Sequence, residues 1–165
     1  MNGAYSCKTG GVPDESGGCS IEDSSRAGGR PSATAFHQVY PAVATSVRAV
    51  RTALAQFAHG LGLPAETRDA VTLAASEAAT NVVVHAYPEQ DVPGTIEVNA
   101  TVAMDELWVI VTDAGLGLRP RLDSPGLGLG LAIIAQLADG VDLVRPTSGG
   151  LELRMRFALP GGVAG

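Results

Sequence analysis

Only two cysteines occur in the 165-residue chain, Cys7 and Cys19. Both sit among Gly, Ser and charged residues, where two free thiols in a reducing compartment fit better than a structural disulfide. Aromatic residues make up 4%, so the core must be aliphatic, drawn from the Ala, Val, Leu and Ile that dominate the 45% of hydrophobic residues. Positive charge is also scarce: 11 Lys and Arg stand against 17 Asp and Glu, for a net charge of −6. A nucleic-acid binder needs a basic patch to neutralise phosphates, and this balance argues against nucleic acid as a partner. No apolar run approaches the ~18 residues that span a bilayer. No charged segment followed by an apolar stretch marks the start as a secretory signal. These absences lead to the expectation of a cytoplasmic protein whose partners are neither nucleic acid nor membrane.

What is present divides the chain into parts. Residues 1–34 are rich in Gly, Ser and charge and too poor in apolar surface to offset the entropy of ordering, so a disordered tail is expected there. A folded domain is expected over 35–160, with a frayed Gly-Gly-Val-Ala-Gly end at 161–165. Val43, Val47, Val50, Leu54 and Phe57 recur every three or four residues and predict a helix, stopped by Gly60 and Gly62. A second helix is predicted from near Pro64 to about Ala86. Glu66 and Asp69 favour the positive end of its dipole, and Tyr87-Pro88 ends it. The period then changes to two. Ile96, Val98, Ala100 and Val102 predict a strand, 104–106 a turn, and 107–111 a strand apolar enough to be central. A short helix over 129–138 capped by Gly140, a strand over 141–144 and a last strand carrying Leu151, Leu153, Met155 and Phe157 complete the pattern. This order predicts the α+β class: a two-layer sandwich with a mixed, mostly antiparallel sheet covered on one face by helices, and not a doubly wound parallel sheet.

Three segments carry candidate chemistry. In the second helix, spacings of four place Glu77, Asn81 and His85 along one face of an otherwise Ala- and Val-rich stretch. A carboxylate and an amide one turn apart suit magnesium chemistry: Asn81 offers a hard carbonyl oxygen, and Glu77 can orient a nucleophile. A plain solvated helix face would show the same spacing. The second segment is Asp113-Ala114-Gly115-Leu116-Gly117, at the end of the central strand. The carboxylate can accept a hydrogen bond from an exocyclic amine while Gly115 and Gly117 let backbone approach a flat ligand; an ordinary turn is the alternative. The third runs from Gly126 through Gly128 and Gly130 into a helix, where backbone N–H groups can face phosphate oxygens. It is not a dinucleotide fingerprint, because it follows Asp123-Ser124-Pro125 and not a strand, and no Gly-Lys-Ser/Thr of a P-loop occurs.

In this order the three segments resemble the nucleotide-binding boxes of the GHKL ATPases, the superfamily of gyrase and the histidine kinases. The compact spacing and the closing Gly149-Gly150-Leu-Glu-Leu-Arg-Met-Arg-Phe157 look most like the anti-sigma-factor serine/threonine kinases. The resemblance covers about residues 36 to 159, and it implies the Bergerat ATP-binding fold with ATP or ADP and Mg²⁺ as cofactors. By position it makes Glu77 the catalytic base or orienting carboxylate and Asn81 the Mg²⁺ ligand. Asp113 becomes the acceptor for the adenine amine, with Gly115 and Gly117 against the nucleotide. Gly126, Gly128 and Gly130 form the phosphate-binding end of a lid in which Arg119 can reach a phosphate. His85 is implied to be structural. The implied phosphoacceptor is an anti-sigma-factor antagonist, with a sigma factor as a second partner and a homodimer as the assembly. A nucleotide-dependent protein-binding module without kinase activity is the competing reading. Two departures stand out: Leu151 takes a place that is often threonine in relatives, and only residues 118–125 separate the glycine clusters.

Overall fold

A computed structural model describes residues 35–87, 91–115, 127–147 and 149–159, all within the unit Pro31–Gly165. The tail expected over 1–34 and the end expected at 161–165 lie outside the described residues.

The chain enters on a strand that the sequence reading did not anticipate, β1 (Ala35–Pro41). Its alternation is faint, because only Phe36 and Tyr40 are partly buried while Gln38, on the same face, is exposed like His37 and Val39. It is an edge strand, paired only to β2, and needs no second apolar face. Phe36 meets Phe57 of the first helix, with ring centroids 5.6 Å apart.

Helix α1 (Ala44–Gly60) buries Val50, Leu54 and Ala58 completely. The spacing of four keeps one stripe on the core. Gly62 stops the helix in the left-handed region at φ 72°. Leu63 N–H reaches back to Ala58 O at 3.2 Å, and Gly62 N–H to His59 O at 3.0 Å. These bonds satisfy the last carbonyls in the six-to-one and five-to-two pattern of a glycine-terminated helix.

Helix α2 (Ala65–Asn81) buries Val71, Ala74, Ala75, Ala78 and Ala79. Small side chains bring its axis close to both α1 and the sheet. Ser76 and Thr80 donate their hydroxyls to the carbonyls of Thr72 and Ser76, at 2.6 and 2.8 Å, a pattern that loosens helical geometry. The helix does not continue as α to Ala86, as expected from sequence. Residues Val82–Ala86 form a wider π-helical turn, a rare interruption of the α geometry that recurs at functional sites.

Strands β2 (Thr95–Ala103) and β3 (Glu106–Asp113) form a hairpin through Met104 and Asp105, both at positive φ. Such a pair matches the twist of the flanking strands. Helix α3 (Leu127–Leu137) then leads to β4 (Gly140–Val144) and β5 (Leu151–Ala158). The helix begins two residues before the sequence reading placed it, so Gly128 and Gly130 belong to its first turn. Gly140 does not cap α3. It opens β4, where a Cβ would lie 2.7 Å from the Arg156 guanidinium.

The sheet order is β1-β2-β3-β5-β4, and every pairing is antiparallel. The expected parallel component is therefore absent among the described strands. Strands β3 and β4 do run the same way, as a crossover through α3 requires, but β5 turns back from β4 and slots between them. Along β3 and β5 residues alternate in and out, with Leu107, Val109, Val111, Leu153, Met155 and Phe157 on the helix side. The opposite face carries Trp108, Ile110, Arg154 and Arg156, so the described helices cover one face only.

Candidate functional site

The polar stripe of α2 points at the opening of α3. A Cβ placed on Gly130 would lie 3.3 Å from Glu77 Oε2, 3.3 Å from Asn81 Oδ1 and 3.5 Å from Asn81 Nδ2. Both side chains therefore converge on one backbone position, and the missing side chain of Gly130 lets the helix come that near. Asn81 Nδ2 is buried and has no hydrogen-bond partner among the described residues. An unpaired buried amide costs about 1–3 kcal/mol, a penalty relieved when an acceptor from outside the chain takes the bond.

Behind this pair, Asp113 closes β3 with 4% of its surface exposed. Its Oδ1 accepts the Gly115 N–H at 2.9 Å, so the carboxylate is held by the turn that follows it. Two glycines make room around it. At Gly115 a Cβ would fall 2.2 Å from the Ala86 carbonyl oxygen, so the end of the π-helical turn rests on the loop backbone. At Gly150, φ is 82° and a Cβ would fall 1.9 Å from the carbonyl oxygen of Asp113.

Asn81, His85 and Asp113 supply the polar lining of a cleft between α2 and the sheet end, with Val111, Leu151 and Leu153 among its apolar walls. The described walls stand nearly closed, leaving about 10 Å³, room for about one water molecule. A flat aromatic ligand has to part them. Leu151, opposite Asp113 in the β3–β5 register, adds an apolar surface to this cleft. A larger groove of about 780 Å³ runs along the outer side of α1 past Val47, Arg48, Arg51, Thr52 and His59. It shares no residue with the cleft and gathers no carboxylate, so the site is placed at the smaller cavity.

The structure thus brings Glu77, Asn81 and Gly130 together, and Asp113 with Gly115. Gly128 lies in the first turn of α3, while Gly117, Arg119 and Gly126 lie outside the described residues. His85 is not one α-helical turn beyond Asn81, because the π-helical turn intervenes, yet it lines the same cleft. Sequence reasoning missed Tyr87 and Gly150. Tyr87 served there only as a helix terminator, but its hydroxyl bonds to both Thr95 and Ala114.

The donor set suits a cation that arrives with its own ligands. Among the described residues no group of three or more His, Cys, Asp or Glu could hold a metal ion. Asn81 and Glu77 provide at most three hard oxygens, one from the amide and two from the carboxylate. Magnesium is commonly bound in this way, with phosphate oxygens and water completing the shell.

A one-sided antiparallel sheet under helices, with a strand-end carboxylate facing an Asn–Glu helix across a narrow cleft, is the architecture of an ATPase domain of the histidine-kinase type. Residues 40–157 match the histidine kinase-like ATPase domain family, and the chain belongs to that family. Serine-protein kinase RsbW of Halalkalibacterium halodurans is 32% identical over 118 residues, which cover 62% of this chain and 71% of that protein. Anti-sigma F factor of Clostridium acetobutylicum is 28% identical over 124 residues, covering 66% of this chain and 84% of that one. Among solved structures, the RsbU and RsbW domains of a Mycobacterium tuberculosis protein superpose with a TM-score of 0.59 at 22% identity, covering 76% of this chain and 32% of that one. The histidine kinase domain of the Erythrobacter litoralis blue-light activated kinase gives 0.51 at 24% identity, covering 73% of this chain and 62% of that one. Both likenesses are of fold.

Proposed function

We propose that the chain is an ATP-dependent serine/threonine protein kinase of the anti-sigma-factor type. The observation that carries this reading is the convergence of Glu77 and Asn81 on Gly130, where an added Cβ would lie 3.3 Å from an oxygen of each, beside the cleft that ends in Asp113.

In this reading adenine enters between α2 and the sheet and gives its amine hydrogen to Asp113. Gly115 and Gly117 pass against the nucleotide. The phosphates lie at the start of α3, where Gly126, Gly128 and Gly130 leave backbone N–H groups open to oxygen ligands, and Arg119 reaches a phosphate from the intervening segment. Asn81 presents its oxygen to Mg²⁺, which neutralises charge on the transferring group when bound. Its orphaned Nδ2 fits an acceptor oxygen brought by the ligand. Glu77 takes the proton from the attacking serine or threonine hydroxyl. A new bond then forms from that oxygen to the γ-phosphorus as the bridging bond to ADP breaks.

The relatives support an anti-sigma-factor antagonist as phosphoacceptor and a sigma factor as second partner. Among the described residues no helix is long and apolar enough to cross a membrane, which suits a cytoplasmic setting. Self-association through β1 and α1 belongs to the same reading: β1 is an edge strand, and its Val39 is 54% exposed.

The test is transfer of labelled γ-phosphate to an antagonist protein by wild type and by Glu77→Gln. The variant is expected to keep nucleotide affinity and lose turnover by about 100-fold or more. Equal turnover in the two would remove Glu77 from the chemistry, and a wild type that binds ATP but never transfers phosphate would leave a nucleotide-dependent binding module.

A further inference from the structure

Tyr87, at the exit of the π-helical turn, has its hydroxyl bonding capacity filled by backbone. It donates to Thr95 O at 2.9 Å, accepts the Thr95 N–H at 3.2 Å and accepts the Ala114 N–H at 3.0 Å. A phenol has one hydrogen and two lone pairs to offer, so all are used. These bonds join the first residue of β2 to the residue after Asp113, two chain positions with no sequence proximity. Glycines flank the ring. At Gly94 a Cβ would sit 2.1 Å from Tyr87 Cε1 and Cζ, and at Gly115 a Cβ would sit 2.9 Å from Cε1. Any side chain at Gly94 would therefore displace the ring, and the hydroxyl with it.

The consequence reaches the cleft through one short loop. The Asp113 carboxylate is held by Gly115 N–H at 2.9 Å, and the peptide between Asp113 and Gly115 is held by Tyr87. Loosening Ala114 lets that turn move and spreads the directions the carboxylate can take. Tyr87 itself does not line the cleft. We infer that Tyr87 is a positioning residue: by pinning Ala114 it aims Asp113, and so sets the preference of the cleft for a base with an exocyclic amine. This rests on the nucleotide reading of the cleft.

Tyr87→Phe keeps the ring and deletes the hydroxyl. Calorimetric titration uses Mg·ATP and purine riboside triphosphate, which lacks the 6-amino group. Wild type is expected to prefer ATP by at least about tenfold, the scale of one hydrogen bond to a charged acceptor. Tyr87→Phe is expected to weaken ATP about five- to tenfold while the analogue changes by less than about twofold. In an Asp113→Asn background the same substitution is expected to add no further loss, because the two act as one unit. Gly94→Ala, which displaces the ring by another route, is expected to reproduce the selective loss, with thermal melts confirming that each variant is folded. Unchanged ATP affinity in Tyr87→Phe overturns the inference. So does an equal loss for ATP and analogue, which is what a merely structural tyrosine produces. A folded wild type that binds neither ligand instead overturns the nucleotide reading on which the inference stands.

Discussion

Two adjacent glycines before β5 allow a controlled test of how the cleft is built. Gly149 and Gly150 both have positive φ, 95° and 82°. Among the described residues nothing lies within 4 Å of a Cβ added at Gly149, whereas at Gly150 the Cβ would lie 1.9 Å from Asp113 O, 2.8 Å from its carbonyl carbon and 3.0 Å from Ala114 Cα. Gly149→Ala therefore carries only the conformational penalty of a left-handed L-residue, about 1–2 kcal/mol. Gly150→Ala carries the same penalty plus a collision that flexible side chains cannot absorb, because every atom met is backbone. The end of β3 must move by more than 1 Å, roughly, to reach an ordinary contact distance, and a total near 4 kcal/mol follows. For a chain of this length each kcal/mol lowers the melting temperature by about 2–4 °C. Thermal melting should show Gly149→Ala down by about 2–8 °C and Gly150→Ala down by about 8–16 °C. The second should also lose ATP affinity, since the displaced peptide carries Asp113. Equal melting temperatures for the two variants would refute the reasoning.

Gly130→Ala should separate stability from function. Alanine favours a helix over glycine by up to about 1 kcal/mol, and the new methyl sits at a tight but non-colliding 3.3 Å from Glu77 and Asn81. The melting temperature should hold or rise while phosphate transfer falls, and joint loss of both would contradict this geometry. Met104→Asn with Asp105→Gly relieves two left-handed non-glycine residues in the β2–β3 turn and should stabilise the domain by about 1 kcal/mol in urea unfolding. Tyr40, whose hydroxyl is raised above its ordinary value of 10.0 by burial, remains protonated at a pH where the unfolded chain has begun to ionise. Its contribution is thus fully present below pH 10 and is lost as pH rises through the folded value. Alkaline melts of Tyr40→Phe should accordingly fall less steeply above pH 10 than those of wild type.

Elements whose apolar period is strong were legible in the sequence. Val50 and Leu54 placed α1, the alternation from Ile96 to Val102 placed β2, and the Leu151–Phe157 alternation placed β5. Strand β1 escaped because an edge strand with two half-buried aromatics has almost no period to read. The π-helical turn escaped because helix-period reasoning assumes one geometry through Ala86. The antiparallel character of the whole sheet depends on β5 returning between β3 and β4, a choice of position that no local pattern encodes. At the site, Glu77, Asn81, Asp113 and Gly115 were legible as residue types at suggestive spacings, but not the approach of Gly130 to the first two. Tyr87 bonds to residues 8 and 27 positions away, and Gly150 is constrained by a register partner. Both relations exist only once the chain is folded.

The central claim, that the cleft ending at Asp113 binds a nucleotide, is tested most directly by calorimetric titration of ATP with Mg²⁺ into wild type and Asp113→Asn. The substitution keeps shape and hydrogen-bonding size while replacing the buried acceptor carboxylate by an amide. Saturable binding by wild type, abolished or weakened by at least about tenfold in the variant, is the predicted result. Absence of binding by folded wild type, or equal affinity in the two proteins, would contradict the account.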